Sequence, residues 1–312
     1  MTDDLTAAER PVMPADPVRI SRGSAPAPAP APSVAGANPA KDRRRPLSVR
    51  RPRDPRISIV VPALNEALNI REILPYLDGY HEVIVVDGHS PDSTAAVAQE
   101  ALPSAKVIQQ TRKGKGNALA CGFAAVTGDV IVMFDIDGSA DPSEIPRFVK
   151  ALVNGADLAK GSRFRKGGGS DDITMFRNVG NAGLNLLASA LTDVWFTDLC
   201  YGYNAFWTDR LFILDLPDIN AETDEPMIWG DGFEIEALII GRLALSGAKI
   251  TEVPSFEHGR YHGETNLNTV RDGFRVLRTI LDDRLYARRF RALSKRRQAS
   301  NLPPPTKPGW MK

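Results

Sequence analysis

From Ile57 onward, short runs of β-branched and other apolar residues alternate with stretches of helical periodicity. This order belongs to βαβ units, which build a parallel sheet with helices on its faces. Strands are expected over 57–61, 82–86, 106–109, 130–134 and 157–160. Helices are expected over 66–77, 90–101 with Ser90 or Asp92 near the cap, 116–125 and 142–153. The strands are continuously apolar, so they should be buried on both faces. Pro142 suits a first helical turn, where a missing N–H costs nothing. Farther on, helices are expected over 176–191 and 233–245, a strand over 249–253, and a helix from Val270 that runs into the basic stretch Arg284–Arg297 before Pro303–Pro305 end regular structure. The expected class is α/β, with a mostly parallel, Rossmann-like sheet flanked by helices.

The pattern fills only part of the 312 residues. Residues 1–55 are rich in Pro, Ala and Arg, with an Ala-Pro alternation over 25–32, and read as a disordered tail. The expected domain is 56–285, followed by a basic, proline-ending tail over 286–312. Arg43–Arg45, Arg50, Arg51 and Arg53 either hold anionic lipid or keep the first tail solvated. An apolar fraction of 43% suits a packed core, and a net charge of +1 gives no general bias toward nucleic acid. Cys121 and Cys200 lack CxxC spacing, which argues against a disulfide framework or structural zinc and favours a reducing cytosol. There is no signal-peptide core and no run of roughly 18 uncharged apolar residues, so the expectation is a cytoplasmic protein that does not span a membrane.

Ligands of doubly wound sheets sit beyond the carboxyl ends of the strands. Here those ends are polar: Pro62-Ala-Leu-Asn-Glu66, Asp87-Gly-His-Ser90 and Asp135-Ile136-Asp137. Asp135 and Asp137 are two apart, so in extended geometry both carboxylates project to one side and can reach one Mg²⁺ or Mn²⁺. Such an ion takes its other ligands from phosphate oxygens and water, as in a nucleoside diphosphate complex. Lys113 and Lys115, among glycines that allow close backbone approach, either supply charge to those phosphates or form an exposed turn. His258 and His262, four apart beside Glu257, straddle a strand and a loop and need not converge on a metal. Phe206 and Trp207 read as core or pocket wall, since no aromatic repeat for nucleic acid exists.

Together, VVPALNE (60–66), VVDGHSPDST (85–94), KGKGNAL (113–119), GDVIVMFDIDGSADP (128–142) and GSRF (161–164) resemble the inverting family 2 glycosyltransferases of GT-A fold, in particular the dolichol- or polyprenyl-phosphate mannose synthase type. The resemblance covers roughly Ile57–Leu281. It implies a GT-A domain with an acceptor-side C-terminal extension, and a nucleotide-sugar donor, GDP- or UDP-linked. It also implies that Pro62, Leu64, Glu66 and Asp87 line base and ribose, and that Asp135, Ile136, Asp137 and Ser139 belong to the metal and diphosphate shell. Arg163 and Arg177, flanking Gly167-Gly-Gly169, resemble a mobile loop with phosphate-binding arginines, although Arg177 could instead pair with Asp171 or Asp172. Asp198–Phe206, and Glu252-Val-Pro254 with Arg260, resemble acceptor-side segments. The chain departs from the pattern at Gly88 and His89, at Ser139, and at Gly263–Leu267, where relatives carry a Ser-Lys pair.

The acceptor is open at this level. A hydroxyl must lose a proton, for which Asp231, in Gly230-Asp-Gly-Phe-Glu234, is a candidate base; Asp231 and Glu234 could equally be first-turn charges of a helix. A lipid phosphate is already ionised, and the basic amphipathic stretch Arg284–Arg297 favours it, with peripheral contact at the inner face of the cytoplasmic membrane. A sugar-nucleotidyltransferase lacks support because no glycine-rich basic loop follows the first strand. A non-catalytic nucleotide-sugar-binding protein is disfavoured by intact Asp135, Asp137, Arg163 and Arg177.

Overall fold

The computed structural model describes residues 51–264 and 269–285. The Ala-Pro repeat, Arg43–Arg45, part of the Gly263–Leu267 segment and the basic stretch beyond Leu285 lie outside them.

The chain folds as β1 (Ile57–Ala63), α1 (Ala67–Ile73), β2 (Glu82–Asp87), α2 (Thr94–Ala101), β3 (Lys106–Gln109), α3 (Lys115–Ala125), β4 (Val130–Met133), α4 (Ile145–Val153), β5 (Leu158–Ser162), β6 (Gly169–Ser170), α5 (Met175–Thr192), β7 (Asn204–Trp207), α6 (Leu211–Leu214), α7 (Ile235–Leu245), β8 (Ile250–Pro254), β9 (Phe256–Glu257) and α8 (Thr269–Leu285). Seven strands form one sheet in the order β3-β2-β1-β4-β7-β5-β8, and β6 pairs with β9 apart from it. The sheet is parallel except that β7 runs against both β4 and β5.

Strand alternation divides the core into two layers. Val60, Ile84, Val86, Ile131 and Met133 pack against α3 and α7 on one face. Ile59, Val61, Val83, Val85 and Val132 pack against α1, α2 and α4 on the other. A continuously apolar strand is thus explained by helices on both sides.

Three local departures have physical reasons. The second helix starts at Thr94 rather than Ser90, because the Asp92 carboxylate accepts from the Thr94 amide at 2.9 Å and turns the preceding residues. The first helix gives way to a 3₁₀ turn over Leu74–Leu77, where Pro75 falls. The Asn204–Trp207 segment is a core strand, with Phe206 and Trp207 buried.

The tail boundary also moves. Residue Arg51, expected in the disordered tail, pairs with Asp157 at 2.8 Å and Asp209 at 3.3 Å and stacks over Trp207 at 4.7 Å. The ordered fold therefore begins before residue 56.

Candidate active site

Because β1, β2, β4, β5 and β8 run one way, their carboxyl ends share an edge, and the reversed β7 begins at that same edge. One cavity of about 450 Å³ opens there, within the range of small-molecule sites. It is walled by Pro62 at the end of β1, by Leu64 and Glu66 after it, by Asp135, Ile136, Asp137 and Ser139 after β4, by Arg163 after β5, and by Cys200, Tyr201 and Gly202 before β7. Lys115 and Glu236 enter from α3 and α7, Arg177 and Asn181 from α5, and His258 and Arg260 from the loop after β9.

Both carboxylates of the Asp135-Ile-Asp137 turn face this cavity, and Gly138, at φ +92°, makes the turn possible. A Cβ on Gly138 would sit 2.6 Å from the Tyr261 ring. Asp135 pairs with Lys115 Nζ at 2.8 Å, and Asp137 pairs with Arg260 at 2.8 Å while accepting from the Ser139 amide and hydroxyl at 3.0 and 2.6 Å. Among the described residues no group of three His, Cys, Asp or Glu side chains could cage a metal. Two carboxylates with open space beside them fit Mg²⁺ or Mn²⁺, which take remaining ligands from phosphate and water.

Lys115 is shared, lying 2.8 Å from Asp135 and 2.7 Å from Glu236. Burial works against its charge, but the two carboxylates outweigh it and raise its pKa, so it remains an ammonium. Burial raises the pKa of Glu236, with Lys115 opposing and Asp135 adding. Glu66 is likewise raised by burial, against the pull of Asn69 and Arg260. Perturbed groups converging in one cleft mark a functional site. Space is tight as well: a Cβ on Gly202 would lie 2.8 Å from Asp135 Oδ2 and 3.2 Å from Lys115 Nζ.

Across the cavity, Arg163 is committed to structure. Its Nε and one terminal nitrogen donate to Asp198 at 2.7 and 2.8 Å, and the other reaches Glu257 at 2.9 Å. Burial opposes the charge of each partner, yet Arg163 is raised and Asp198 lowered by their bidentate bonds. Arg177 pairs with Asp172 at 2.9 Å and still lines the cavity. The glycine loop between these arginines is tied at its far end, where Gly169 and Ser170 pair with Phe256 and Glu257.

A family profile described as Glycosyl transferase family 2 matches residues 58–211. An undecaprenyl-phosphate mannosyltransferase of Micrococcus luteus is 32% identical over 68% of this chain and 88% of its own length. The chain belongs to glycosyl transferase family 2. A dolichol-phosphate mannosyltransferase of Pyrococcus furiosus is also 32% identical over 68% of the chain, which spans 59% of that relative. Among solved structures, glucosyl-3-phosphoglycerate synthase from Mycobacterium tuberculosis, in complex with Mn²⁺, UDP and phosphoglyceric acid, superposes with a TM-score of 0.56 at 25% identity, covering 74% of this chain and 78% of that one. The fold is GT-A.

Within this family 2 domain, several expected site residues do not line the cavity. Asp87 is buried at the end of β2, accepting from the Ser90 amide at 3.2 Å. Asp231 is gripped by Arg112 Nε and NH2 at 2.8 and 3.0 Å, which fixes its carboxylate inside the protein and outside the cavity. Glu234 is similarly held by Arg275 at 2.6 Å. Lys113 is absent from the lining while Lys115 is present, and Glu252 accepts from Thr197 instead of facing the cavity. His262 pairs with Glu72 at 2.8 Å, away from His258, so the two histidines do not converge. Glu236 is the site residue that reading the sequence missed. Its signal was present: a lone carboxylate in the apolar run Ile235–Leu245 needs a buried cation.

Proposed function

We propose that the enzyme transfers a sugar, with inversion, from a GDP- or UDP-linked donor to a polyprenyl phosphate. The observation that carries this reading is one cavity that gathers Asp135, Asp137, Lys115 and Arg260, the last paired with Asp137, together with Arg163 and Arg177. Asp231, the expected base for a hydroxyl acceptor, is outside that cavity, whereas Arg260 is inside it. An ionised phosphate oxygen needs no base, only positioning beside the anomeric carbon.

Asp135 and Asp137 would hold Mg²⁺ or Mn²⁺, which supplies positive charge to the departing diphosphate. Lys115, kept charged by its two carboxylates, adds a fixed cation beside them. Arg177 presents a guanidinium fork suited to phosphate, its partner Asp172 being exposed and weakly held. Pro62 and Leu64 offer the apolar and backbone surface on which a base can lie. The names of the Micrococcus and Pyrococcus relatives support a prenyl phosphate acceptor, and the UDP–Mn²⁺ complex supports the donor and metal. Such an acceptor goes with peripheral contact at the inner face of the cytoplasmic membrane. No helix among the described residues is long and apolar enough to cross one.

The test is a panel of GDP- and UDP-sugars with Mn²⁺, with and without polyprenyl phosphate, following nucleoside diphosphate release and extractable glycolipid. Glycolipid from one donor is expected, and Asp137→Asn should cut turnover by about 10²–10³-fold with the fold unchanged. Full transfer by that variant would remove the metal role. Transfer to a hydroxyl acceptor alone would overturn the lipid reading and make Glu66, a cavity carboxyl with raised pKa, the base to examine.

A further inference from the structure

Large apolar side chains are exposed on two neighbouring helices that also wall the cavity. On α5, Met175, Val179 and Leu186 are exposed, Met175 by 84%. Their spacing of four and seven residues puts them on one stripe. In the 18 residues of α5 the sole charge is Arg177, which turns to Asp172 and the cavity. On α8, Val270, Phe274, Leu281 and Leu285 are exposed at spacings of four, seven and four, Leu285 by 80%. By helical geometry this second stripe is flanked by Arg271 and by Arg278, which pairs with Asp282 at 3.3 Å, on one side and by Arg284 on the other. The two helices pack together, and Asn181, Leu184, Gly273 and Val276 on their inner sides line the cavity.

We propose that the α5–α8 face is the surface by which the enzyme docks on an anionic lipid bilayer, with the cavity mouth beside the headgroup layer. An apolar helix face bordered by arginines is the pattern of an interfacial helix, and paired stripes bury more area than one. The chemistry of the chain that follows agrees. From Tyr286 to Lys312 it carries Arg288, Arg289, Arg291, Lys295, Arg296 and Arg297 and no Asp or Glu, so positive charge continues directly from the end of the α8 stripe. Each cation near an anionic leaflet adds to binding. A second copy would bring a second chain with the same unbalanced positive charge, a repulsion that an anionic bilayer turns into attraction. Docking places a prenyl lipid phosphate within reach of Arg177 and Arg260 while its chain stays in the bilayer. That last consequence rests on the proposed acceptor; the docking itself does not.

The test is flotation of the full chain, without donor, metal or acceptor, on vesicles of phosphatidylcholine alone or mixed with phosphatidylglycerol. Leu186→Ser and Phe274→Ser are compared singly and together, since both sites are exposed and neither lines the cavity. The wild type is expected to float with the anionic vesicles and to be released by salt, and each substitution to lower partitioning about tenfold or more. Transfer to a short-chain, water-soluble prenyl phosphate should be unchanged in both variants. Absence of flotation in the wild type, or equal flotation of the double variant, overturns the proposal. So does a wild-type dimer that the substitutions split without any change in lipid binding. Flotation that persists while the wild type transfers nothing to any prenyl phosphate would sink the acceptor reading and leave the docking surface standing.

Discussion

Between their ends, β1, β2 and β4 carry no charged residue, whereas the region from β5 to α8 buries Lys160, Arg163, Asp198, Asp231 and Glu234. The first region is held by apolar burial, which is non-directional and tolerates exchange of similar side chains. The second depends on bidentate bonds whose partners come from distant parts of the chain, as Arg112 and Asp231 do. Asp135 and Asp137 are therefore displayed from a frame of apolar strands, while the wall formed after β5 is shaped by charges such as Arg163 and Asp198 that satisfy each other.

That contrast can be broken most directly by substitution. Arg163→Met leaves the wholly buried Asp198 without its bidentate cation and should cost about 3–5 kcal/mol. Ile59→Val in β1 should cost only about 1 kcal/mol. Urea unfolding of both variants measures the difference, and equal losses would erase the distinction.

A slightly smaller effect concerns Lys160, wholly buried with Nζ donating to the Gly161 and Tyr201 carbonyls at 2.9 Å each. Burial pushes its pKa down to about 8, with Asp198 opposing. Below that pH the lysine is charged in both folded and unfolded chains, and the fold bears the cost of burying the charge. Between about 8 and the ordinary 10.5, the unfolded chain keeps a proton the folded one has released, so stability rises with pH. Relative to Lys160→Met, the wild type should gain about 3 kcal/mol across that window in unfolding midpoints. A flat difference would mean that the second region is less charge-dependent than the structure indicates.

The smallest predicted effect sits where the regions meet. Glu236, from α7, steadies Lys115 from beyond the first region. Glu236→Gln leaves Asp135 as the lysine's sole carboxylate partner, so Lys115 should compete harder with a divalent cation. Calorimetric titration of Mn²⁺ in the presence of a nucleoside diphosphate should show affinity weakened about tenfold. Unchanged affinity would separate Lys115 from the metal shell.

What could be read from the sequence follows the same division. Strands β1, β2 and β4 announce themselves by Val- and Ile-rich runs, and Asp135 and Asp137 by following one of them. The reversed β7 could not be found this way, because Asn204–Trp207 contains no Val or Ile and only its place between β4 and β5 makes it a strand. Asp231 sat in a plausible motif, but its fate depends on an arginine 119 positions away. Of the expected site residues, Pro62, Leu64, Glu66, Lys115, the Asp135–Asp137 turn, Ser139, Arg163, Arg177 and Arg260 share one cavity. Local motifs placed those residues, whereas ion-pair partners are set by tertiary contacts that no spacing rule encodes.

The contacts of Arg51 have a practical corollary. Its partners Ala156, Asp157 and Asp209 lie at the start of β5 and just past the end of β7, which is the rim of the sheet opposite the cavity. At residue 51 the backbone thus departs from the back of the molecule. A support or label coupled at residue 51 should hold the protein with its open face outward, an orientation suited to presenting it to vesicles in a flow cell.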